Sequence, residues 1–365
     1  MSTHRILVAV LASAAASTLL STLTVAPLAT AHGNHDGHGR QHEHGRSYSW
    51  QITPTGSNEE FRGLAAVNRR TAWVSGEDGS VLRTTDAGVS WRDVSPAGAK
   101  GLALRDIEAF DEQRAVTLSI GPGNDSRIYA TDDGGRSWTE TFRNTAAAAF
   151  YDCMAFGPRG QGLALSDPVN GYFRLARTTD HGRTWTVNDN AGMPPAEPGE
   201  FAFAASGTCI VSRPGDRFWF ATGGVDHPRI FRSNDGGRSW TVTETPLRGG
   251  ASAGIYSVDF RDARHGVIVG GDFADEDNGA DAAAVSRDGG RTWSLSDGPV
   301  TGYRSGVAYV NGRAVIAVGP NGSDVSRDGG LTWRRFDSDR YDGVQCTRSA
   351  CWASGTDGRV ARLDR

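Results

Sequence analysis

From Tyr48 onward, short apolar runs alternate with polar turns in a recurring order. One run opens each unit: FRGLAAV (61–67), LRDIEAF (104–110), FYDCMAF (150–156), SGTCIV (206–211), IYSVDF (255–260), YRSGVAY (303–309) and YDGVQC (341–346). A second follows, ending in WVSG (73–76), LSIG (118–121), LALSD (163–167), WFATGG (219–224), VIVGG (267–271), VIAVG (315–319) and WASG (352–355). Runs of this length bounded by Gly, Asp and Asn read as strands. A third run, such as 80–83 or 229–231, leads into an octet that recurs six times: TTDAGVSW (84–91), TDDGGRSW (131–138), TTDHGRTW (178–185), SNDGGRSW (233–240), SRDGGRTW (286–293) and SRDGGLTW (326–333).

The octet pattern is [ST]-x-D-x-G-x-[ST]-W, with its tryptophans 40 to 55 residues apart. A D-x-G core is a turn, because the carboxylate accepts backbone N–H groups and glycine tolerates a positive φ. The Ser/Thr-x-Trp that follows starts a strand whose ring can fill the space between sheets. Each octet therefore joins the third and fourth strands of a four-stranded unit. Asp86, Asp132, Asp133, Asp180, Asp235, Asp288 and Asp328 are read as scaffold, since residues repeated in every unit do not mark one site.

The octet resembles the Asp-box, or bacterial neuraminidase repeat, which implies a β-propeller. Seven opening strands but six octets predict seven blades of about 45 residues each, an ordinary size for four-stranded blades. The unit starting at 341 has three strands, and YSWQI (48–52) supplies a fourth strand with its tryptophan. The expected fold is an all-β, seven-bladed propeller over residues 48–365, closed by the N-terminal strand in the C-terminal blade. FRGLAAV, TAWVSG and DGSVLRTTDAGVSW together resemble the photosystem II stability and assembly factor family. That resemblance implies an exported scaffold holding a protein client during assembly.

The chain carries a formal net charge of −4, so recruitment of nucleic acid by bulk charge is not expected. Residues 1–31 combine His4 and Arg5, an apolar Ile6–Leu28 stretch and Ala29-Thr30-Ala31, the signature of a cleaved secretory signal. No second long apolar run follows, so no membrane span is expected. A secreted, monomeric bacterial protein is the expectation. In an oxidising compartment Cys346 with Cys351, and Cys153 with Cys209, are disulfide candidates, although sequence alone leaves their connectivity open. Residues 32–47 read as a disordered tail in which His32, His35, His38, His42 and His44 could hold Cu, Ni or Zn. Loop 271–281, with Asp272, Asp275, Glu276, Asp277 and Asp281, offers hard oxygens for calcium but reads first as a solvated acidic loop.

Function is expected where blades differ, at the funnel opened by the starts of the innermost strands. Aligning those strands places Arg62, Arg105, Tyr151, Ser206, Tyr256, Arg304 and Asp342 at one level and Asp106 and Asp152 at the next. Arginine forks there suit a protein client or another anionic ligand. Pairing of the arginines with Asp106, Asp152, Asp342, Glu60 and Glu108 is the plainer reading. The leading function is a non-enzymatic binding or assembly scaffold. A sialidase-like glycosidase, using Arg62, Arg105, Arg304, Tyr151, Tyr256, Glu200 and Asp152, is the alternative. A metal-binding protein or metal-dependent oxidoreductase acting through the histidine tail is the third.

Overall fold

The computed structural model describes residues 47–364, apart from 188, 189 and 191. The predicted leader, and the histidine tail through residue 46, lie outside the described residues. The described chain is a ring of seven four-stranded antiparallel sheets. Blade 1 comprises Phe61–Ala66, Ala72–Gly76, Val81–Thr84 and Arg92–Asp93; blade 2 comprises Leu104–Ala109, Ala115–Ser119, Arg127–Thr131 and Thr139–Arg143. Blade 3 runs Tyr151–Phe156, Gly162–Val169, Tyr172–Thr178 and Thr186–Val187; blade 4 runs Ile210–Arg213, Arg217–Ala221, Arg229–Ser233 and Thr241–Glu244. Blade 5 has Ala253–Phe260, Gly266–Asp272, Ala283–Ser286 and Ser294–Leu295, and blade 6 has Gly306–Asn311, Ala314–Gly319, Gly322–Ser326 and Arg334–Asp337. Blade 7 is built from Gly343–Cys346, Cys351–Ser354 and Val360–Asp364, with Ser49–Ile52 as its outer strand. Trp50 pairs with Leu363 and Ile52 with Ala361 across that seam.

The second strands are mostly buried because both their faces are covered by neighbouring blades. Ala72–Gly76 and Ala115–Ser119 are buried at every position, whereas the outer strand Arg92–Asp93 is exposed. The core is consequently a set of interblade clusters. Trp73, Val94, Ile107 and Tyr129 fill the 1–2 junction, Trp219, Phe260 and Ile268 the 4–5 junction, and Phe61, Val74 and Trp352 the 7–1 junction. Truncating one of these fully buried tryptophans to alanine would cost roughly 3–5 kcal/mol. Octet tryptophans brace the same junctions. The Trp138 indole meets Trp73 edge-on at 6.3 Å and donates to the Val94 carbonyl.

The octets form turns of one shared pattern. In blade 4, Asp235 Oδ1 accepts from Ser233 Oγ (2.8 Å) and from the Arg238 and Ser239 amides (3.0 Å each). Its Oδ2 accepts from Ser239 Oγ at 2.6 Å, and Ser233 Oγ accepts from the Gly237 amide. Gly237 holds φ +80, and an added Cβ there would sit 2.6 Å from the Leu163 side chain. In blade 2, the Ser137 hydroxyl and amide hold Asp133 down at about 2. These carboxylates are bonded into the backbone, which is the chemistry of a scaffold.

Cys153 is bonded to Cys209 and Cys346 to Cys351. The first bridge ties the innermost strand of blade 3 to the residue just before that of blade 4; the second closes the hairpin between the first two strands of blade 7.

Candidate functional site

Hydrogen-bond register decides which residues share a level at the funnel. In blade 1, Phe61 pairs with Gly76 and Gly63 with Ser75, so Arg62 bulges out between them. Arg105 bulges between Leu104 and Asp106, and Tyr256 between Ile255 and Ser257. Blade 3 has the same irregularity between Tyr151 and Cys153, which makes Asp152 the equivalent of Arg62. Blade 6 pairs Gly306 with Val318, placing Ser305 at this level, and blade 7 pairs Gly343 with Ser354, placing Asp342 there. In blade 4 the strand begins only at Ile210, paired with Phe220, and the equivalent residue is Thr208. The observed level is therefore Arg62, Arg105, Asp152, Thr208, Tyr256, Ser305 and Asp342.

Three predicted ring residues, Tyr151, Ser206 and Arg304, move as a result. Tyr151 and Arg304 lie one step back, level with Phe61, Leu104, Ile255 and Tyr341, and all six are fully buried. The interblade bonds agree. The amides of Phe61, Ile255, Arg304 and Tyr341 donate to Gly355, Thr222, Gly270 and Gly319 of the preceding blade. Arg304 is clamped there by Asp324: its Nε donates to Oδ2 at 2.8 Å, with further bonds to Asn321, Thr301 and the Tyr303 carbonyl. The ion pair closes to 2.6 Å with neither side chain exposed. Tyr151 packs edge-on against Phe142, and burial raises its hydroxyl pKa. Ser206 lies on the segment before blade 4, and its hydroxyl donates to Ser305 O.

Arg62 and Arg105 remain at the mouth, each about a fifth exposed. Arg62 reaches Glu60 at 2.6 Å, Glu77 at 3.4 Å and Asp342 at 3.5 Å; Arg105 reaches Glu77 at 2.6 Å. Burial works against the Arg62 charge, but Asp342 and Glu60 outweigh it and raise its pKa. Burial pushes Asp342 up to about 6 against the pull of Arg62. Asp106 and Asp152 are held well above the usual carboxylate range by burial, Asp106 beside Glu108 and Asp152 beside Asp167. They do not pair with the arginines; Asp106 instead accepts the Met154 amide of blade 3.

The mouth is crossed by residues 201–207, a segment that carries no sequence motif. Its Ala205 carbonyl accepts from Arg62 and its Ala204 carbonyl from Arg105. Phe203 stacks on Tyr256 at 3.7 Å, and Tyr256 meets Tyr303 edge-on at 4.7 Å. The Tyr256 hydroxyl donates to Ser252 O. Gly207 has φ +73 and passes so close to Asp106 that a Cβ would lie 2.4 Å from its carboxylate. The segment thus spans from blades 1 and 2 to blades 5 and 6. Its anchor is Glu200, buried against Thr222 (2.6 Å) and Arg229 (Nε, 2.9 Å).

Beneath it, a cavity of about 560 Å³ follows the ring axis and is lined by Ala66, Glu108, Ala155, Asp259, Val307 and Gln345 among others. Glu108 faces this cavity, and burial pushes it up to about 7 against the attraction of Arg213. Arg213 itself pairs with Asp259.

The groups needed for a sialidase-like reaction are not brought together: Glu200 is bound to Arg229, Tyr151 is core, and Tyr256 is stacked under Phe203. In loop 271–281, Arg248 reaches Asp272 and Asp275, and Glu276 pairs with Arg340. Among the described residues no group of three or more His, Cys, Asp or Glu is placed to hold a metal. The tail histidines lie outside those residues. Among the described residues no helix is long and apolar enough to cross a membrane.

The BNR/Asp-box repeat family matches residues 284–295. A chloroplastic photosystem II stability/assembly factor of Oryza sativa subsp. japonica is 22% identical over 50% of this chain and 42% of its own length. The match therefore spans less than half of that relative. The photosystem II assembly protein Ycf48 of Synechococcus sp. (strain JA-2-3B'a(2-13)) is 23% identical over 54% of this chain and 78% of its own. A solved structure of YCF48 bound to a D1 peptide superposes with a TM-score of 0.61 at 13% identity, covering 87% of this chain and 97% of that one. YCF48 from Cyanidioschyzon merolae gives 0.61 at 16% identity, covering 86% and 98%. The WD40 propeller domain of Doa1 gives 0.58 at 12% identity, covering 87% and 97%, so the structural likeness is one of fold. The chain is an Asp-box β-propeller that resembles the photosystem II stability/assembly factor family.

Proposed function

We propose that this protein is an exported, non-enzymatic scaffold that holds a protein client at its funnel face. The observation that carries the reading is the pair Arg62 and Arg105. They stand side by side on adjacent blades, partly exposed, at a mouth crossed by residues 201–207. Their charge is met by Glu60 and Glu77, which are partly exposed, so an acidic client segment can exchange for these partners at little cost. A segment crossing the mouth favours a surface that docks a chain over a pocket that admits a small substrate. The similar propeller solved with a D1 peptide supports a peptide-like client. The leader at residues 1–31 supports work outside the cytoplasm, where the two disulfides are stable.

Placing a photo-crosslinking residue at Glu60, and separately at Arg334 on a blade edge, tests this in the exported fraction of a host cell. The reading requires a discrete adduct from position 60 that position 334 does not give. Equal labelling from both positions would remove the funnel as the docking surface.

A further inference from the structure

The opposite face, where the Asp-box turns lie, carries arginines at several blade junctions, and the cleft between blades 4 and 5 lacks the acid that the clefts on either side of it contain. Between blades 2 and 3, the second octet residue Asp132 accepts two N–H groups from Arg183, the sixth octet residue of the next blade (2.7 and 3.2 Å). Between blades 4 and 5 the same two places hold Asn234 and Arg291. Asp132 is the one acid at this place among the six octets, and Asn234 offers an amide that cannot cancel the charge.

A cleft of about 410 Å³ opens at this junction, lined by Arg217, Arg232, Arg264 and Arg291 above the buried Trp219, with no carboxylate residue in its wall. The neighbouring clefts are not like this. The one between blades 3 and 4 contains Asp216, paired with Arg159 at 2.9 Å, and the one between blades 5 and 6 contains Asp328. None of the four arginines makes an ion pair among the described residues. Arg217, Arg264 and Arg291 each place one N–H on a backbone carbonyl, of Pro214, Arg287 and Asp288 respectively. Arg232 places two on Thr241 Oγ1. A guanidinium has five N–H donors, so most of those in the cleft are left for water or a ligand. The nearest acid, Asp288, has its oxygens committed to Ser286, Thr292 and the Arg291 amide. Burial and then repulsion from Arg291 lower the pKa of Arg232, a cost that a bound anion would relieve.

We propose that the cleft between blades 4 and 5 binds a phosphate-class dianion, inorganic phosphate or a phosphomonoester, gripped by Arg232 and Arg291 with Arg217 and Arg264 at its rim. The stoichiometry favours phosphate over carboxylate. One guanidinium fork satisfies both oxygens of a carboxylate, whereas a phosphate offers three acceptor oxygens in a tetrahedral array to several convergent forks. The site stands apart from the funnel and does not depend on a protein client.

Isothermal titration with inorganic phosphate at low ionic strength tests it, with phosphatidic-acid-doped phosphatidylcholine vesicles as a second arm. Saturable one-site binding is expected, weakened by added salt. R232Q and R291Q should each weaken it about tenfold or more, the scale of one lost charge-assisted fork. N234D, which supplies the acid found at Asp132 without removing an arginine, should do the same while melting like the wild type. Arg159→Gln, in the neighbouring cleft, should leave binding unchanged. Sedimentation with the vesicles would identify a lipid headgroup as the phosphate source, and titration by phosphate alone a soluble one; either supports the site. Absence of phosphate binding, or binding that N234D leaves intact, overturns it.

Discussion

The funnel mouth and the blade 4–5 cleft both gather arginines, yet their surroundings are opposite. At the mouth, Arg62 and Arg105 share Glu60, Glu77 and Asp342 and two carbonyls of the 201–207 segment. In the cleft, four arginines and Asn234 line a wall that holds no carboxylate. An arginine cluster alone therefore does not define an anion site; the acids within reach of its forks do. Arg304 shows the limiting case, because complete burial against Asp324 turns a residue of the same type into part of the core.

The largest expected effect comes from breaking that limit. Arg304→Ala leaves Asp324 charged and buried without its partner and should cost about 3–5 kcal/mol in chemical denaturation. Preservation of stability would mean that Arg304 is not a core residue, and the contrast with Arg62 would collapse.

A second test concerns the cavity beneath the mouth. Glu108 is raised by burial to about 7, so the folded state binds its proton more tightly than the unfolded chain, where an ordinary glutamate titrates near 4.3. A raised carboxylate pKa opposes folding as pH increases. Its cost is absent below about 4, grows as pH rises and is complete above about 7. Glu108→Gln should flatten the loss of stability between those limits, a difference on the order of 1–3 kcal/mol at neutral pH. Parallel pH–stability curves for the two proteins would show that Glu108 titrates normally.

The smallest effect sharpens the comparison between junctions. Asp132→Asn gives the blade 2–3 junction the residue type that blade 4 has naturally. Both partners are about half exposed, so the stability change should stay within about 1 kcal/mol in thermal melts. A larger loss would make these pairs structural braces, and the absence of an acid at Asn234 would then have a stability explanation to answer.

The repeating part of this molecule was readable from its sequence because it is local. Each Asp-box closes on itself through contacts within seven residues, and the apolar second strands announce burial on both faces. The funnel was less legible for a physical reason. Phe150-Tyr151 and Tyr303-Arg304 resemble Phe61-Arg62 in composition, but strand register sets them one residue back, so alignment by composition slipped at Tyr151 and Arg304. In blade 4 the slip was two residues, since Ser206 belongs to the crossing segment and the strand begins later. Residues 201–207, Glu77 and Asp324 sit in no motif at all. Their roles come from partners up to 143 positions away, as in the bond from Arg62 to Ala205. Asn234 sits at a variable place of the octet, and its meaning required knowing that the next blade's Arg291 lines the same cleft.

The central claim is that the funnel arginines serve capture rather than folding, and charge reversal addresses it most directly. The double variant Arg62→Glu with Arg105→Glu, assayed for client adducts from position 60 and for thermal melting, should lose the adduct while melting within a few degrees of the wild type. Undiminished capture by a folded double variant would contradict the account.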